Sequence, residues 1–212
     1  MDALASVFIW LDYAAVAVFA ATGAMAAAQR KHDIVTFGFF AAVTGVGGGT
    51  MRDLLLDAPV FWVNRPDYLI ACMLAAVAVW VFGTGQARLK VLLWLDALGM
   101  AAYSVVGAAK ASALGAPPIS AIVMGVLTAC FGGIIRDVLA DEPSVLLRRE
   151  LYVSCALVGA SVFVVLEAIG LSDFSAGMGG FVAAFLVRAA AIFWGWMLPP
   201  FPGRGGDRSG GR

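Results

Sequence analysis

Two ten-residue segments decide the fold: TGVGGGTMRD at 44–53 and TACFGGIIRD at 128–137. Each lies within a long apolar stretch, and each places an Arg-Asp pair shortly after adjacent glycines. In a helix interior, a glycine costs about 1 kcal/mol relative to alanine. Adjacent glycines therefore predict a kink or a break in each helix, and freed backbone groups are tolerated in a membrane only beside protein or water. Close packing of two helices through small residues is the alternative interpretation.

The sequence around these segments repeats with the same offset and without a gap, since 128 − 44 = 84. Trp10-Leu11-Asp12 recurs as Trp94-Leu95-Asp96, and Tyr68 recurs as Tyr152. Chance matches in an apolar chain would fall on Ala, Val and Leu, whereas these fall mostly on Gly, Asp, Arg, Pro, Trp and Tyr. We therefore interpret the chain as an internal duplication.

Composition places both copies in a bilayer. Hydrophobic residues make up 62% of the 212 residues and charged residues 13%, whereas a soluble domain is roughly half apolar and about a quarter charged. The 14 basic and 14 acidic residues balance, so no nucleic-acid partner is expected. The single histidine, His32, and the three separated cysteines offer no metal-ligand or nucleophile–base set, so we expect neither an enzyme nor a cofactor.

Seven apolar segments are candidates for membrane spans, each of which needs roughly 20 residues. They lie at 3–28, 34–56, 68–86, 91–114, 117–140, 151–171 and 174–198. Three spans fall in each copy, and this odd number inserts the second copy from the opposite face, as in inverted repeats. We predict an all-α membrane protein with a first repeat at 3–86, an inverted second repeat at 87–171, a seventh helix at 172–200 and a disordered tail at 201–212.

Loop charges set the expected orientation. If the N-terminus is outside, nine loop or tail Lys and Arg residues lie on the cytoplasmic side and only Arg65 lies on the other. The positive-inside rule therefore favours an outside N-terminus and a cytoplasmic C-terminus, in a bacterial inner membrane.

An inverted repeat places a shared site near the bilayer midplane. The expected pore-lining or kink positions are Thr44, Gly47, Gly48, Gly49, Thr128, Gly132 and Gly133. A charge within the bilayer costs at least about 2.5–3.5 kcal/mol, so it usually faces a cavity and a partner. The expected pore or gating charges are Asp12, Arg52, Asp53, Asp96, Lys110, Arg136 and Asp137.

Depth in the membrane suggests the partners of two of these charges. Neighbours at i and i+1 point away from each other on a helix, so Arg52 and Asp53 are expected to be poor partners. We instead predict the pairs Asp12–Arg52 and Asp96–Arg136.

The sequence allows more than one environment for each of two further basic side chains. Lys110 either snorkels to the interface or stands in the permeation path. Arg188 lies midway along the seventh span, where a lipid headgroup, a neighbouring subunit or Glu167 could contact it.

The doubled Gly-Gly-x-x-Arg-Asp motif, the mid-helix Arg188 and the closing Leu198-Pro199 resemble the bacterial homologues of the trimeric intracellular cation (TRIC) channels. Bacterial members were formerly labelled as a glycine transporter domain. The resemblance covers about residues 4–199. It implies a homotrimer in which each subunit has its own pore, between the second and fifth helices, for potassium and other monovalent cations such as sodium. It also suggests a bound membrane lipid, although the acidic partner that follows the animal lysine motif is absent after Lys110.

Three functions are therefore compatible with the sequence. The first is a passive cation channel. The second is a secondary transporter of a small zwitterion such as glycine, because inverted repeats with broken helices suit transporters equally well. The third is a membrane scaffold without a permeation path.

Overall fold

A computed structural model describes residues 2–83, 88–142 and 151–199. Over these residues the chain forms eight helices: α1 (Asp2–Gln29), α2 (Ile34–Leu55), α3 (Phe61–Asn64), α4 (Asp67–Phe82), α5 (Arg88–Ala113), α6 (Pro118–Leu139), α7 (Val153–Ala168) and α8 (Asp173–Trp194). The all-α expectation is confirmed. The predicted tail at 201–212 lies outside the described residues.

Five of the described helices are long and apolar enough to cross a membrane. They contain the segments Ile9–Gln29, Ile34–Leu55, Lys90–Ala113, Pro118–Leu139 and Asp173–Trp194. The other two long helices, α4 and α7, have 16 residues each and span about 24 Å, less than the ~30 Å of a hydrocarbon core. The third and sixth spans were thus predicted too long; α4 ends where Gly83 takes a left-handed φ of 68°.

Two polar caps and one proline fix where three of the helices begin. Asp33 caps α2 by accepting a hydrogen bond from the Thr36 backbone N–H at 2.9 Å, and this bond lowers the pKa of the Asp33 carboxyl. Ser172 caps α8 through the Ser175 backbone N–H. Pro118 opens α6, where its missing N–H leaves no helical bond unmade.

The two helices that carry the Arg-Asp pairs end in the same way. The residues that follow, Asp57 and Asp141, have left-handed φ values of 51° and 52°. One residue later, Ala58 N–H donates to the Asp53 carbonyl and Glu142 N–H to the Asp137 carbonyl, both at 2.9 Å. This is the Schellman ending, here with aspartate in place of the usual glycine. The same local pattern therefore terminates both copies.

Helices α2 and α6 cross at the centre of the described chain and run antiparallel, because Gly48 packs against Thr128 while Gly132 packs against Thr44. We call the end of the bundle where α2 and α5 end the Arg52 end, and the opposite end, where α6 ends, the Arg136 end. The core around the crossing contains small and aromatic residues, among them Phe19 and Tyr103, both 0% exposed.

Candidate functional site

The two glycine segments form the tightest helix contact of the central region. A Cβ added at Gly48 would collide with the Thr128 carbonyl oxygen, and one added at Gly132 would lie 2.7 Å from the Thr44 carbonyl oxygen. The same threonines touch the neighbouring helices, because a Cβ at Gly23 or at Gly107 would lie 2.6 Å from a threonine Oγ1. The glycines thus let two backbones meet closely.

Of the predicted kink or break at these glycines, the break is wrong, because both helices are continuous. Helix α2 continues from Ile34 to Leu55 and α6 from Pro118 to Leu139, each through its glycine pair. Close packing across the crossing compensates for the low helix propensity of glycine, so no backbone group has to be freed. At this point α2 and α6 are in direct contact, with the Gly48 position against the Thr128 carbonyl and the Gly132 position against the Thr44 carbonyl.

Asp53 joins three elements at the Arg52 end. Its Oδ1 accepts from Arg52 Nε and from Lys110 Nζ, both at 2.7 Å. Its Oδ2 accepts from the Phe61 backbone N–H at 3.0 Å. Asp53 is fully buried, so this carboxylate holds α2, α3 and α5 together. Lys110 is half-buried at this site and paired with Asp53.

Asp12 is not the ion-pair partner of Arg52 in the described part of the chain, which corrects the first predicted pair. Tyr68 donates its hydroxyl to Asp12 Oδ2 at 2.9 Å, and Arg52 is held by Asp53 and by the Phe61 ring, whose centroid lies 5.6 Å from the guanidinium carbon. Among the described residues, Asp12 Oδ1 and Arg52 Nη1 have no hydrogen-bond partner although both are buried.

These charges line a cavity of about 670 Å³ at the Arg52 end. Asp12 and Arg52 form part of its polar wall, and Lys110 stands beside them. Phe61, Val106 and other apolar side chains form the apolar part of the wall, and further polar residues complete the rest: Asn64, Arg65, Tyr68, Glu167 and Asp173. Membrane-embedded charges of both signs therefore face one cavity, as their cost of burial requires.

At the Arg136 end the equivalent charged residues form ion pairs with one another. Arg136 Nη1 lies 2.7 Å from Asp96 Oδ1, which places the second predicted pair in direct contact, and 3.2 Å from Thr22 Oγ1. The guanidinium also bonds to Asp137, with 2.8 Å between Nη2 and Oδ1. Arg136 is 2% exposed. Its three partners leave the group satisfied inside the protein.

The expectation that sequence neighbours are poor partners is wrong in both copies. Arg52 bonds to Asp53 and Arg136 to Asp137. The rule concerns the directions in which Cβ atoms leave the helix. An arginine side chain is long enough to bend around the helix toward the next residue, and burial favours this because the adjacent carboxylate is available without moving a second helix.

Arg188 lies inside the subunit, not on the surface that the lipid or subunit contact would require. It is 1% exposed. Its Nη1 donates to the Leu151 carbonyl at 3.1 Å, and its guanidinium carbon lies 5.3 Å from the centroid of the Tyr152 ring. Arg188 thus ties α8 to the start of α7 at the Arg136 end.

Sequence reasoning missed the aromatic partners of these charges. Tyr68 and Tyr152 were used only as markers of the repeat, yet Tyr68 bonds to Asp12 and Tyr152 packs under Arg188. Tyr103 donates its hydroxyl to the Gly45 carbonyl at 3.0 Å, beside the crossing. The signal available was the position of a polar aromatic residue in an otherwise aliphatic span. Phe61 gave no such signal, because its helix, α3, lies between the second and third predicted spans.

Comparison with known proteins gives consistent results. A family model described as "Glycine transporter" matches the chain twice, at residues 9–84 and 93–168. The inner membrane protein YadS of Escherichia coli is 40% identical over 200 residues, which are 91% of this chain and 95% of YadS. A membrane protein of Vibrio cholerae is 37% identical over 199 residues, covering 92% of this chain and 83% of that protein.

Solved structures resemble the chain over nearly its whole length. The TRIC trimeric intracellular cation channel orthologue from Rhodobacter sphaeroides is 49% identical, with a TM-score of 0.88 over 90% of this chain and all of the other. A second TRIC cation channel structure is 30% identical, with a TM-score of 0.81 over 92% of this chain and 97% of the other. These structural relatives are ion channels and not enzymes. The chain is a membrane protein that belongs to the family of bacterial TRIC homologues, the family whose sequence model is described as a glycine transporter.

Proposed function

We propose that this protein is a potassium-permeable channel for monovalent cations, with one path in each subunit along the crossing of α2 and α6. The observation that carries the proposal is the placement of buried and half-buried charges at both ends of that crossing: half-buried Asp12 and Lys110 with buried Arg52 around a cavity at one end, and buried Asp96 and Arg136 at the other. Charged side chains within membrane segments face the bundle interior or a water-filled cavity and mark substrate or ion pathways.

The described conformation is the closed state of this path. The cavity at the Arg52 end is separated from the charge cluster at the Arg136 end by the contact of Gly48 and Gly132 with the facing threonines. Opening requires α2 and α6 to move apart, and glycine is suited to this because it adds no side chain that would have to leave the gap. Freed carbonyl groups of the separated helices would then coordinate cations.

A cation can pass two buried guanidinium groups only if nearby carboxylates neutralise their positive charges. Arg52 is paired with Asp53, and Arg136 is held between Asp96 and Asp137. Each pair cancels the repulsion that a lone guanidinium would exert on a passing cation. We assign Lys110 to the gate at the Arg52 end, where it shares Asp53 with Arg52.

The assembly follows from the same proposal. Two three-helix repeats of opposite orientation, supported by the reciprocal contact of α2 and α6, and a C-terminal α8 form each subunit, and three subunits associate as TRIC channels do by their name. The protein lies in the bacterial inner membrane with its N-terminus outside and its C-terminus in the cytoplasm. Surrounding membrane lipid is a structural partner; no resident cofactor is invoked, and the described residues contain no cluster of three or more potential metal ligands.

Bilayer recording of the purified protein under asymmetric KCl tests the proposal. Unitary currents that reverse near the potassium equilibrium potential are expected. Reversal near the chloride potential would contradict cation selectivity. Gradient-coupled, saturable uptake of glycine without unitary currents would instead support the transporter alternative, and normal assembly without any flux would support the scaffold.

A further inference from the structure

The short helix α3 is joined to the end of α2 by two hydrogen bonds. Trp62 donates its indole Nε1–H to Thr50 Oγ1 at 2.9 Å, and the Thr50 hydroxyl in turn donates to the Val46 carbonyl at 2.7 Å. One residue earlier in α3, the Phe61 backbone N–H donates to Asp53 Oδ2 at 3.0 Å. Successive residues of α3 therefore bond to side chains three residues apart on α2, which lie on one face of that helix.

The Phe61 ring fills the space that a glycine of the motif leaves on α2. A Cβ added at Gly49 would lie 2.5 Å from Phe61 Cε1. The centroid of the same ring lies 5.6 Å from the Arg52 guanidinium carbon. Gly49, which the sequence assigned to a pore wall or a kink, therefore lets α3 pack directly against α2.

On its other side, α3 is held by α4 and α1. The Phe61 ring packs edge-on against Tyr68, with 4.6 Å between centroids. Tyr68 stacks on Tyr13 of α1 at 4.0 Å and donates its hydroxyl to Asp12. Because these contacts lie outside α2, a movement of α2 away from α1 and α4 has to break the bonds that join it to α3.

The second copy of the repeat lacks the side chains that make these contacts. Three positions differ between the copies at the 84-residue offset, in this order: Thr50 and Ile134, Phe61 and Val145, Trp62 and Leu146. Isoleucine has no side-chain acceptor and leucine no donor, yet α6 is a continuous helix like α2. The hydrogen bond from α3 is thus not needed to form such a helix, which points to a role particular to the Arg52 end.

We propose that Phe61 and Trp62 are positioning residues of the gate at the Arg52 end: they hold the end of α2 in the place where it packs against α6. The contact point with α6, Gly48, is followed directly by Gly49 and Thr50, the two residues that α3 holds. This inference rests on the proposed channel function and adds the element that regulates it. Release of α3 would precede or accompany the separation of α2 from α6.

Hydrogen exchange of the full chain in detergent tests the positioning role without a measurement of current. Trp62→Phe keeps an aromatic ring but loses the donor, so α3 should exchange faster. Residues 44–55 of α2 should follow by about 2- to 12-fold, the range that one such hydrogen bond contributes to local opening. Trp80→Phe, at a 48% exposed position near the far end of α4, is the control and should leave both segments unchanged. Faster exchange in α3 alone, or in neither segment, would overturn the proposal.

Variants of Thr50 test the same bond from its other partner. Thr50→Val has nearly the same shape without the acceptor and should reproduce the change, whereas Thr50→Ser keeps the hydroxyl and should exchange as the wild type does. The double variant Thr50→Val, Trp62→Phe should exchange no faster than the faster single variant, because both changes remove one bond. Effects that multiply in the double variant would overturn the proposal, since they would report two independent losses of packing. If Trp62→Phe does not fold, the comparison of Thr50→Val with Thr50→Ser still decides.

Single-channel recording separates the failure of this inference from the failure of the channel function. Trp62→Phe and Thr50→Val should each raise the open-to-closed ratio about 2- to 12-fold, and Thr50→Ser should not. Wild-type currents with an unchanged ratio in both variants would overturn the positioning role and leave the channel function standing. Absence of wild-type current would contradict the channel function alone, and the exchange rates would still show whether α3 holds α2.

Discussion

Phe19 and Tyr103 stack on each other at the centre of the protein, with ring centroids 5.4 Å apart and ring planes inclined by 20°. They hold equivalent positions of the two repeats, since 103 − 19 = 84. Each ring lies beside a glycine segment of the other copy: Phe19 of the first copy against Gly132, and Tyr103 of the second against the Gly45 carbonyl. The stacked pair therefore packs beside both glycine segments at once, and any separation of α2 from α6 has to disturb it.

Removing the Tyr103 hydroxyl should favour the open channel. Tyr103→Phe keeps the stacked ring but loses the 3.0 Å hydrogen bond to Gly45, which contributes about 0.5–1.5 kcal/mol to the packed state. We expect a roughly 2- to 12-fold increase in the open-to-closed ratio of single channels, since 1.4 kcal/mol corresponds to a factor of ten. Tyr13→Phe is the control, because that ring stacks on Tyr68 away from the crossing. An unchanged ratio in Tyr103→Phe would separate this bond from gating.

Alanine at the crossing should destabilise the protein. In Gly48→Ala the new methyl group meets the carbonyl oxygen of Thr128, which is backbone and cannot turn aside. Overpacking of this kind costs about 1–3 kcal/mol, so the melting temperature in detergent should fall. Gly38→Ala is the matched control in the same helix, since its methyl group would face the flexible end of Met73 at 3.2 Å. Equal melting temperatures for the two variants would show that the crossing is looser than described.

Residue patterns predicted much of this architecture, and they failed where a side chain had a choice of partner. Apolar length and the 84-residue offset predict the long helices and the equivalence of Arg52 with Arg136. The same patterns could not distinguish a kink at Gly48 from close packing, because glycine permits both and only the facing surface decides.

The partner of each arginine was beyond sequence reasoning for a similar reason. Asp96 and Asp12 occupy equivalent positions, yet only Asp96 contacts its arginine. At the Arg52 end, Lys110 and the Phe61 backbone N–H bind Asp53 and hold the Arg-Asp motif in place. The residue equivalent to Lys110 in the first copy is Ala26, since 110 − 84 = 26. One lysine thus makes the two ends different.

This asymmetry predicts unequal effects of two equivalent substitutions. Asp96→Asn removes one of the two carboxylates that compensate the buried Arg136 and leaves Asp137, so its cost should approach but not exceed that of a fully broken buried pair, about 3–5 kcal/mol. Asp12→Asn breaks no ion pair and keeps an acceptor for Tyr68, so it should cost about 1 kcal/mol or less. Melting temperatures of the two variants, measured side by side in the same detergent, check this difference. Equal losses would mean that Asp12 and Arg52 pair in solution as Asp96 and Arg136 do.

Neutralising Lys110 should increase cation conductance in a way that depends on salt. The ammonium group is one of three cations in the cavity wall, and Asp53 keeps Arg52 as a partner when it is removed. At about 7 Å in a water-filled space, one charge contributes about 0.6 kcal/mol, so the local cation concentration should rise roughly threefold in Lys110→Met. Single-channel conductance in dilute KCl should rise accordingly and return toward the wild-type value near 1 M, where the screening length is about 3 Å.

Lys90→Met removes the same charge from an exposed position near the other end of α5. If it raised conductance as much as Lys110→Met, net charge rather than the cavity would set the current. An increase in Lys110→Met that persisted at high salt would instead indicate a steric block by the lysine side chain.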